Sequence, residues 1–170
     1  METLKVKIKK LSENAVIPTY SQEGDAGMDL VATSESYDEF GNIIYGTGLS
    51  FEIPKGYVGL LFPRSSNANK QILLSNSVGV IDSGYRGEVT LKFKSTVRVL
   101  SFGSLINIIY NFFKRIPKKI SVKNYYGNAY KVGDRVGQII ILPYPQIEFE
   151  ESEELSETER GNGGYGSTGK

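Results

Sequence analysis

Leu4, Val6 and Ile8 alternate with Lys5, Lys7 and Lys9, the two-residue period of a strand with one face in water. The same alternation returns where Val89, Leu91 and Phe93 interleave with Thr90, Lys92 and Lys94. Further short extended runs cover 49–53, 57–62, 71–74 and 136–142. Val80 and Ile81, followed by Asp-Ser-Gly, read as a strand entering a tight turn. Clusters of Gly, Pro, Asn, Asp and Ser between these runs read as turns. Many short strands divided by turns predict an all-β architecture, closed or sandwiched. No internal repeat is visible.

Two segments break the pattern. In the first, from about 99 to 123, Phe102, Leu105, Ile108, Ile109, Phe112 and Ile116 share helical spacing, although the β-branched content leaves a hairpin open. Pro117 should end any helix there. The segment turns basic at Lys114, Arg115, Lys118, Lys119 and Lys123. The second is the C-terminus. Seven glutamates from Glu148 to Glu159 form an acidic stretch with nothing to bury, followed by a Gly-rich tail from Arg160 to Lys170. Such a tail should be mobile when free. The expected organisation is a β domain over 1–147 and an acidic tether with a mobile arm over 148–170.

The length of 170 residues suits one domain with a real core. Lys+Arg 20 against Asp+Glu 19 argues against a general polyanion binder, so no nucleic acid is expected as a partner. There is no cysteine and no histidine. No Cys/His or Ser/His/Asp nucleophile system can be built, and no zinc deaminase site. An activated water must then rely on a carboxylate or on a hard metal such as magnesium. The N-terminus opens no apolar signal region and no run is long enough for a membrane helix, so no membrane is expected. A reducing interior is the default location: the cytoplasm, or a host cell's interior if the chain is viral or phage encoded.

Several short motifs carry chemistry, each beside a plainer reading. Residues 164–170 match the start of a P-loop, but the chain ends where the Ser/Thr and helix should stand, and no strand precedes. A phosphate grip by glycine N–H groups and Arg160 is still open, against a functionless tail. In 79–87, Gly-Val-Ile-Asp-Ser-Gly-Tyr-Arg-Gly, Asp82 most simply bonds its own backbone in a turn, and Tyr85 packs. Arg64, Ser65 and Ser66 follow the run 57–62, where a cation and two hydroxyls suit either a phosphate or a polar loop. Residues 25–30 read as a turn with a carboxylate at Asp29. Residues 133–138 read as a turn into a strand, with Arg135 and Gln138 solvated or beside the ladder.

Together, in this order and spacing, the five segments resemble the signature motifs of the trimeric dUTPase family, over nearly the whole chain from Asp25 to Gly169. The resemblance implies a jelly-roll-like β-clip barrel, a homotrimer, magnesium, and hydrolysis of dUTP to dUMP and pyrophosphate, which keeps uracil out of DNA and supplies dUMP for dTMP synthesis. Residue by residue, it implies that Asp82 activates the attacking water. Tyr85 stacks under deoxyribose and blocks a 2′-hydroxyl. Asn76 bonds the uracil edge, with backbone groups of Gly79, Val80 and Ile81 completing the base site. Arg64, Ser65 and Ser66 serve the phosphates, with Ser66 standing where the family usually has Gly. Gln138 supports the phosphate site, and Asp29 holds magnesium through a bound water. Tyr165, in place of the usual Phe, stacks on uracil, while Arg160, Gly166, Ser167 and Thr168 close over the phosphates of a neighbouring subunit's site.

Two rivals stand beside this reading. One is a dCTP deaminase of the same superfamily, which needs no zinc. The other is a regulatory protein on the same scaffold, binding a protein partner through the insertion at about 99–123. That insertion has a plainer role, packing its apolar face on the chain's own β body with its lysines in water.

Overall fold

A computed structural model describes residues 3–96 and 128–164. The insertion reading therefore lies outside the described residues, as do Tyr165, Gly166, Ser167 and Thr168. Ten strands occur among the described residues: β1 (Lys7–Lys10), β2 (Met28–Val31), β3 (Ser34–Tyr37), β4 (Ile43–Gly46), β5 (Leu49–Glu52), β6 (Tyr57–Phe62), β7 (Ile72–Leu74), β8 (Gly79–Ile81), β9 (Thr90–Ser95) and β10 (Arg135–Pro143). The one helical element among the described residues is a short 3₁₀ turn, Ser65–Asn69. The all-β expectation is met.

Every strand pairing is antiparallel. The strands form a pair β1-β5 and two four-stranded sheets, β2-β10-β6-β8 and β3-β4-β9-β7. Their inner faces share one core, with Leu30, Ile43, Tyr45, Leu49, Leu91, Phe93, Val136 and Ile139 almost wholly excluded from water. Burial of such side chains supplies most of the folding drive, at about 1.5–3 kcal/mol each. Three aromatic rings, Tyr45, Phe93 and Tyr130, meet edge to face or tilted at 5.7–6.0 Å between centroids. The Tyr45 hydroxyl donates to the Tyr130 carbonyl at 2.7 Å, satisfying the polar end of a fully buried ring.

β9 follows its alternation to the letter: Leu91 and Phe93 are buried while Thr90, Lys92 and Lys94 are exposed. Three expectations need correcting. The 25–30 segment is a turn only at its start, because Met28–Val31 pairs with β10 as β2. The first strand is shifted to Lys7–Lys10, so Leu4 and Val6 precede it. β3 and β4 were not anticipated. β3 is wholly exposed and polar, and it borders its sheet; strands at an edge need no apolar face.

Candidate active site

β10 is the strand that gathers the first group of polar residues. Gln138 lies directly opposite Asp29 of β2 on one side and Phe62 of β6 on the other. Residues directly opposite in an antiparallel ladder share a face, and so do residues two apart along a strand. Asp29, Gln138 and Arg64 thereby come to one face. Arg64 Nε donates to Asp29 Oδ1 at 2.6 Å, and Arg135 Nη1 donates to Asp29 Oδ2 at 3.1 Å. The register shift between Arg135 and Gly137 is what brings Arg135 round to Asp29. Arg135 was expected to be merely solvated or ladder-side; it is half of this clamp.

Two guanidiniums on one carboxylate leave a net positive charge. Arg64 and Arg135 keep side-chain exposures of 29% and 57%, so unused N–H donors face outward. Arg64 also reaches Ser66 Oγ at 3.4 Å, a long and weak contact. Ser66 sits within the 3₁₀ turn and needs no positive φ, so its side chain is accommodated. The nearby Tyr130 phenol is raised above its ordinary pKa, chiefly by burial, with Ser66 and Arg64 pulling the other way. Gln138 Nε2 donates to the Pro63 carbonyl at 3.2 Å. A Cβ on Gly27 would come within 2.6 Å of Gln138 Oε1, so the bare backbone there makes room for this side chain.

The second group rides on the loop between β7 and β9. Ser75 N donates to Lys92 O at 2.8 Å, and Val78 N donates to Asn76 O at 2.6 Å across Ser77. Ser77 has φ +61°, unique among the described non-glycine residues. An i to i+2 bond over a positive φ is the rarer, strained hand of three-residue turn. Strain beside Asn76 costs of order 1–3 kcal/mol and holds that side chain at the surface. Ser77→Gly should therefore leave stability within about 1 kcal/mol of the parent or raise it, whereas Ser77→Val should lower it by about 1–2 kcal/mol. Denaturant unfolding of the two variants checks this; equal midpoints would remove the strain.

After β8, the turn closes with Tyr85 N donating to Asp82 O at 3.0 Å. Arg86 Nη1 spans it, donating to Ser83 O at 2.7 Å and Tyr85 O at 2.8 Å. Tyr85 Oη donates to Glu88 O at 2.9 Å, and its ring lies so close over Gly87 that a Cβ there would collide with it. The Asp82 carboxylate does not behave as a turn residue. Asp25, Asp38 and Asp134 each accept a backbone N–H within four residues. Asp82 is exposed and accepts none among the described residues. A cavity of about 270 Å³ opens at the 75–79 segment, lined by Leu61, Leu74, Ser75, Asn76, Gly79, Thr90 and Lys92.

No contact joins Asp82 to Arg64 among the described residues. β8 runs antiparallel to β6 with Ile81 opposite Gly59, so the chain leaves β8 toward Val58 and away from Arg64. Arg64 is six residues further along, on the order of 20 Å of extended chain. The tail is separate again. Tyr144 N donates to Gly56 O at 2.9 Å, and beyond it the described backbone makes no further hydrogen bond to the β body. Phe149 and Leu155 are 94% and 88% exposed. Among the described residues, Arg160 Nε donates only to Gly163 O at 2.9 Å, inside its own turn.

Among the described residues, no three carboxylates gather in a way that would hold a metal ion. Asp29 is nonetheless suited to an indirect role. A carboxylate has about four lone-pair positions, and the two arginines occupy two of them.

The dUTPase family model matches residues 13–99 and 113–169. The chain belongs to the dUTPase family. The residues skipped by that match, 100–112, fall inside the insertion. A deoxyuridine 5′-triphosphate nucleotidohydrolase of Nautilia profundicola is 37% identical over 171 residues, covering 98% of this chain and all of the relative. Its counterpart in Corynebacterium glutamicum is 36% identical over 167 residues, covering 97% and 95% of the two chains. Among solved structures, the Staphylococcus bacteriophage 80alpha dUTPase with dUPNHPP superposes with a TM-score of 0.72 at 29% identity, covering 98% of this chain and 99% of that one. A dUTPase from phage phi11 of S. aureus, described for its species-specific insert, reaches 0.63 at 25% identity, over 91% and 100% of the chains. Membership of the dUTPase family makes this chain a hydrolase of nucleotide metabolism. Arg135, Ser75 and Lys92 are site-border residues that sequence reasoning missed. Only strand register brings Arg135 to Asp29, and a lysine in a strand looks like any solvated residue.

Proposed function

We propose that the chain hydrolyses dUTP to dUMP and pyrophosphate, with Asp82 as the base that takes a proton from water attacking the α-phosphorus. The observation that carries this is the exposed Asp82 carboxylate, which accepts no hydrogen bond among the described residues, in a chain with neither histidine nor cysteine. The uracil edge faces Asn76 and the backbone of Gly79, Val80 and Ile81. Tyr85, braced by Glu88 and seated on Gly87, lies under the deoxyribose. Arg64, Ser65 and Ser66 hold the phosphates, with Gln138 bracing the loop at Pro63. Charge developing on the departing pyrophosphate is stabilised by Arg64 and Arg160. Asp29 would hold magnesium through a bound water, and the ion would supply further neutralisation of the phosphate charge.

The separation of Asp82 from Arg64 along β6 supports a site shared between copies of the chain, and we take the assembly to be a homotrimer. Tyr165 stacks on uracil and Gly166, Ser167 and Thr168 close on the phosphates when the 148–170 arm reaches a neighbouring copy. A cell interior, cytoplasmic or that of a phage's host, is the location where such an enzyme meets dUTP.

Turnover in ¹⁸O-enriched water tests the reaction. Attack on the α-phosphorus carries the label into dUMP. Label in pyrophosphate, or ammonia from dCTP, would overturn it. Sugar selection rests on Tyr85, so Tyr85→Ala should raise kcat/KM on UTP relative to dUTP by about tenfold or more, since the ring fills the space of a 2′-hydroxyl. An unchanged ratio would move selection elsewhere.

A second reading concerns the insertion, because the family match omits 100–112 and the phi11 relative is described for an insert of its own. We propose that the 99–123 segment, whether it docks a protein partner or packs on the β body, takes no part in the chemistry. Replacing 100–123 by a short Gly/Ser loop should leave kcat on dUTP within about threefold, as for a loop remote from the reacting atoms. A large loss in a folded trimer would make it part of the site.

A further inference from the structure

The cavity beside Asn76 has a polar wall that the reading above does not use. Ser75 Oγ is buried and bonds to nothing among the described residues. Buried hydroxyls are nearly always bonded, so one that lines a cavity without a protein partner is free to bond whatever fills that cavity. Lys92 borders the same cavity. The two residues are fixed to one another, since Ser75 N donates to Lys92 O at 2.8 Å. Thr90, two residues before Lys92 on β9, shares its face and completes this wall.

Lys92 is anchored. Its ammonium lies 3.0 Å from Asp38 Oδ2. Asp38 in turn accepts from Asn42 Nδ2 at 2.8 Å, Asn42 N at 2.8 Å and Phe40 N at 3.0 Å. The Asn42 side chain, with Lys92 assisting, holds the Asp38 carboxyl at about 2, so the pair stays ionised through any assay range. An ammonium has three donors and no acceptor. One is spent on Asp38, leaving others unspent.

We propose that Lys92 selects uracil over cytosine by donating to the C4 carbonyl of the base, with Ser75 adding a hydrogen bond at the same edge. The inference rests on the reading that this cavity takes the base. Uracil presents a carbonyl at C4 and cytosine an amino group. A donor-only cation at that position bonds the first and faces a like polarity in the second. A serine hydroxyl donates or accepts, so Ser75 contributes affinity without discrimination.

The test measures kcat/KM on dUTP and dCTP, and inhibition by deoxyuridine and deoxycytidine, for the full chain and for Lys92→Met, Lys92→Arg and Ser75→Ala. Lys92→Met should lower the dUTP to dCTP preference about tenfold, the order of one hydrogen bond to a charged group, and weaken deoxyuridine in parallel. Lys92→Arg, still a donor-only cation, should keep most of the preference. Ser75→Ala should weaken both nucleosides alike. A preference unchanged in Lys92→Met, or a loss on dUTP with deoxyuridine inhibition intact, overturns the assignment; the latter would put Lys92 on the phosphates. A parent chain that binds deoxycytidine as tightly as deoxyuridine overturns the base reading underneath.

Discussion

Asp82→Asn is expected to bind dUTP with near-parental affinity and to lose kcat by several hundred-fold or more. A positioned general base contributes about 10²–10⁴-fold. The substitution preserves shape and removes proton acceptance. Folding should be untouched, because the carboxylate accepts no hydrogen bond among the described residues and stands in water. The turn is held by its backbone and by Arg86, not by the Asp82 side chain. The loss should thus appear in kcat and kcat/KM together, with the melting temperature and KM little changed. Steady-state kinetics with a thermal melt checks both halves. Near-normal kcat would remove Asp82 from its role.

Deleting 160–170 should separate catalysis from stability more sharply still. The described part of the arm is exposed, and Arg160 bonds only within its own turn. Little area leaves the core when it is removed, so the melting temperature should stay close to the parent. Catalytic efficiency should fall by about 10²-fold or more, the scale of losing charge stabilisation at a developing anion. The same cut also exposes the phosphates to solvent. Unchanged kcat/KM after truncation would sink the arm's part in the reaction.

How legible all this was depends on the element. β9 could be read from Val89, Leu91 and Phe93, because one face meets the core and the other water. β2 could not. Met28-Asp29-Leu30-Val31 is short and carries a carboxylate that reads as a turn; pairing with β10 makes it a strand. β3 has no apolar period to find. β4 did carry a signal in Ile43-Ile44-Tyr45, bounded by Gly41 and Gly46, and that run was overlooked. Asp82 looked like any turn aspartate until the order of five motifs singled it out. The structure adds that its carboxylate, unlike those of Asp25, Asp38 and Asp134, bonds no neighbouring backbone. The Asp29 clamp was out of reach, since a bulge in β10 decides where Arg135 points.

Among the described residues β10 is also the last strand made as the chain is synthesised, yet it lies between β2 and β6 and closes both ladders. The Asp29–Arg135 ion pair joins positions 106 apart. Such distant pairing is slow, because loop-closure entropy is lost before contacts repay it. On the ribosome, β2, β6 and β8 must wait without their central strand until residues beyond Pro143 have emerged. The Arg64–Asp29–Arg135 cluster is accordingly among the last features to form. A chain released early, or stalled ahead of β10, is a sheet with an open seam and a target for chaperones rather than a slow enzyme.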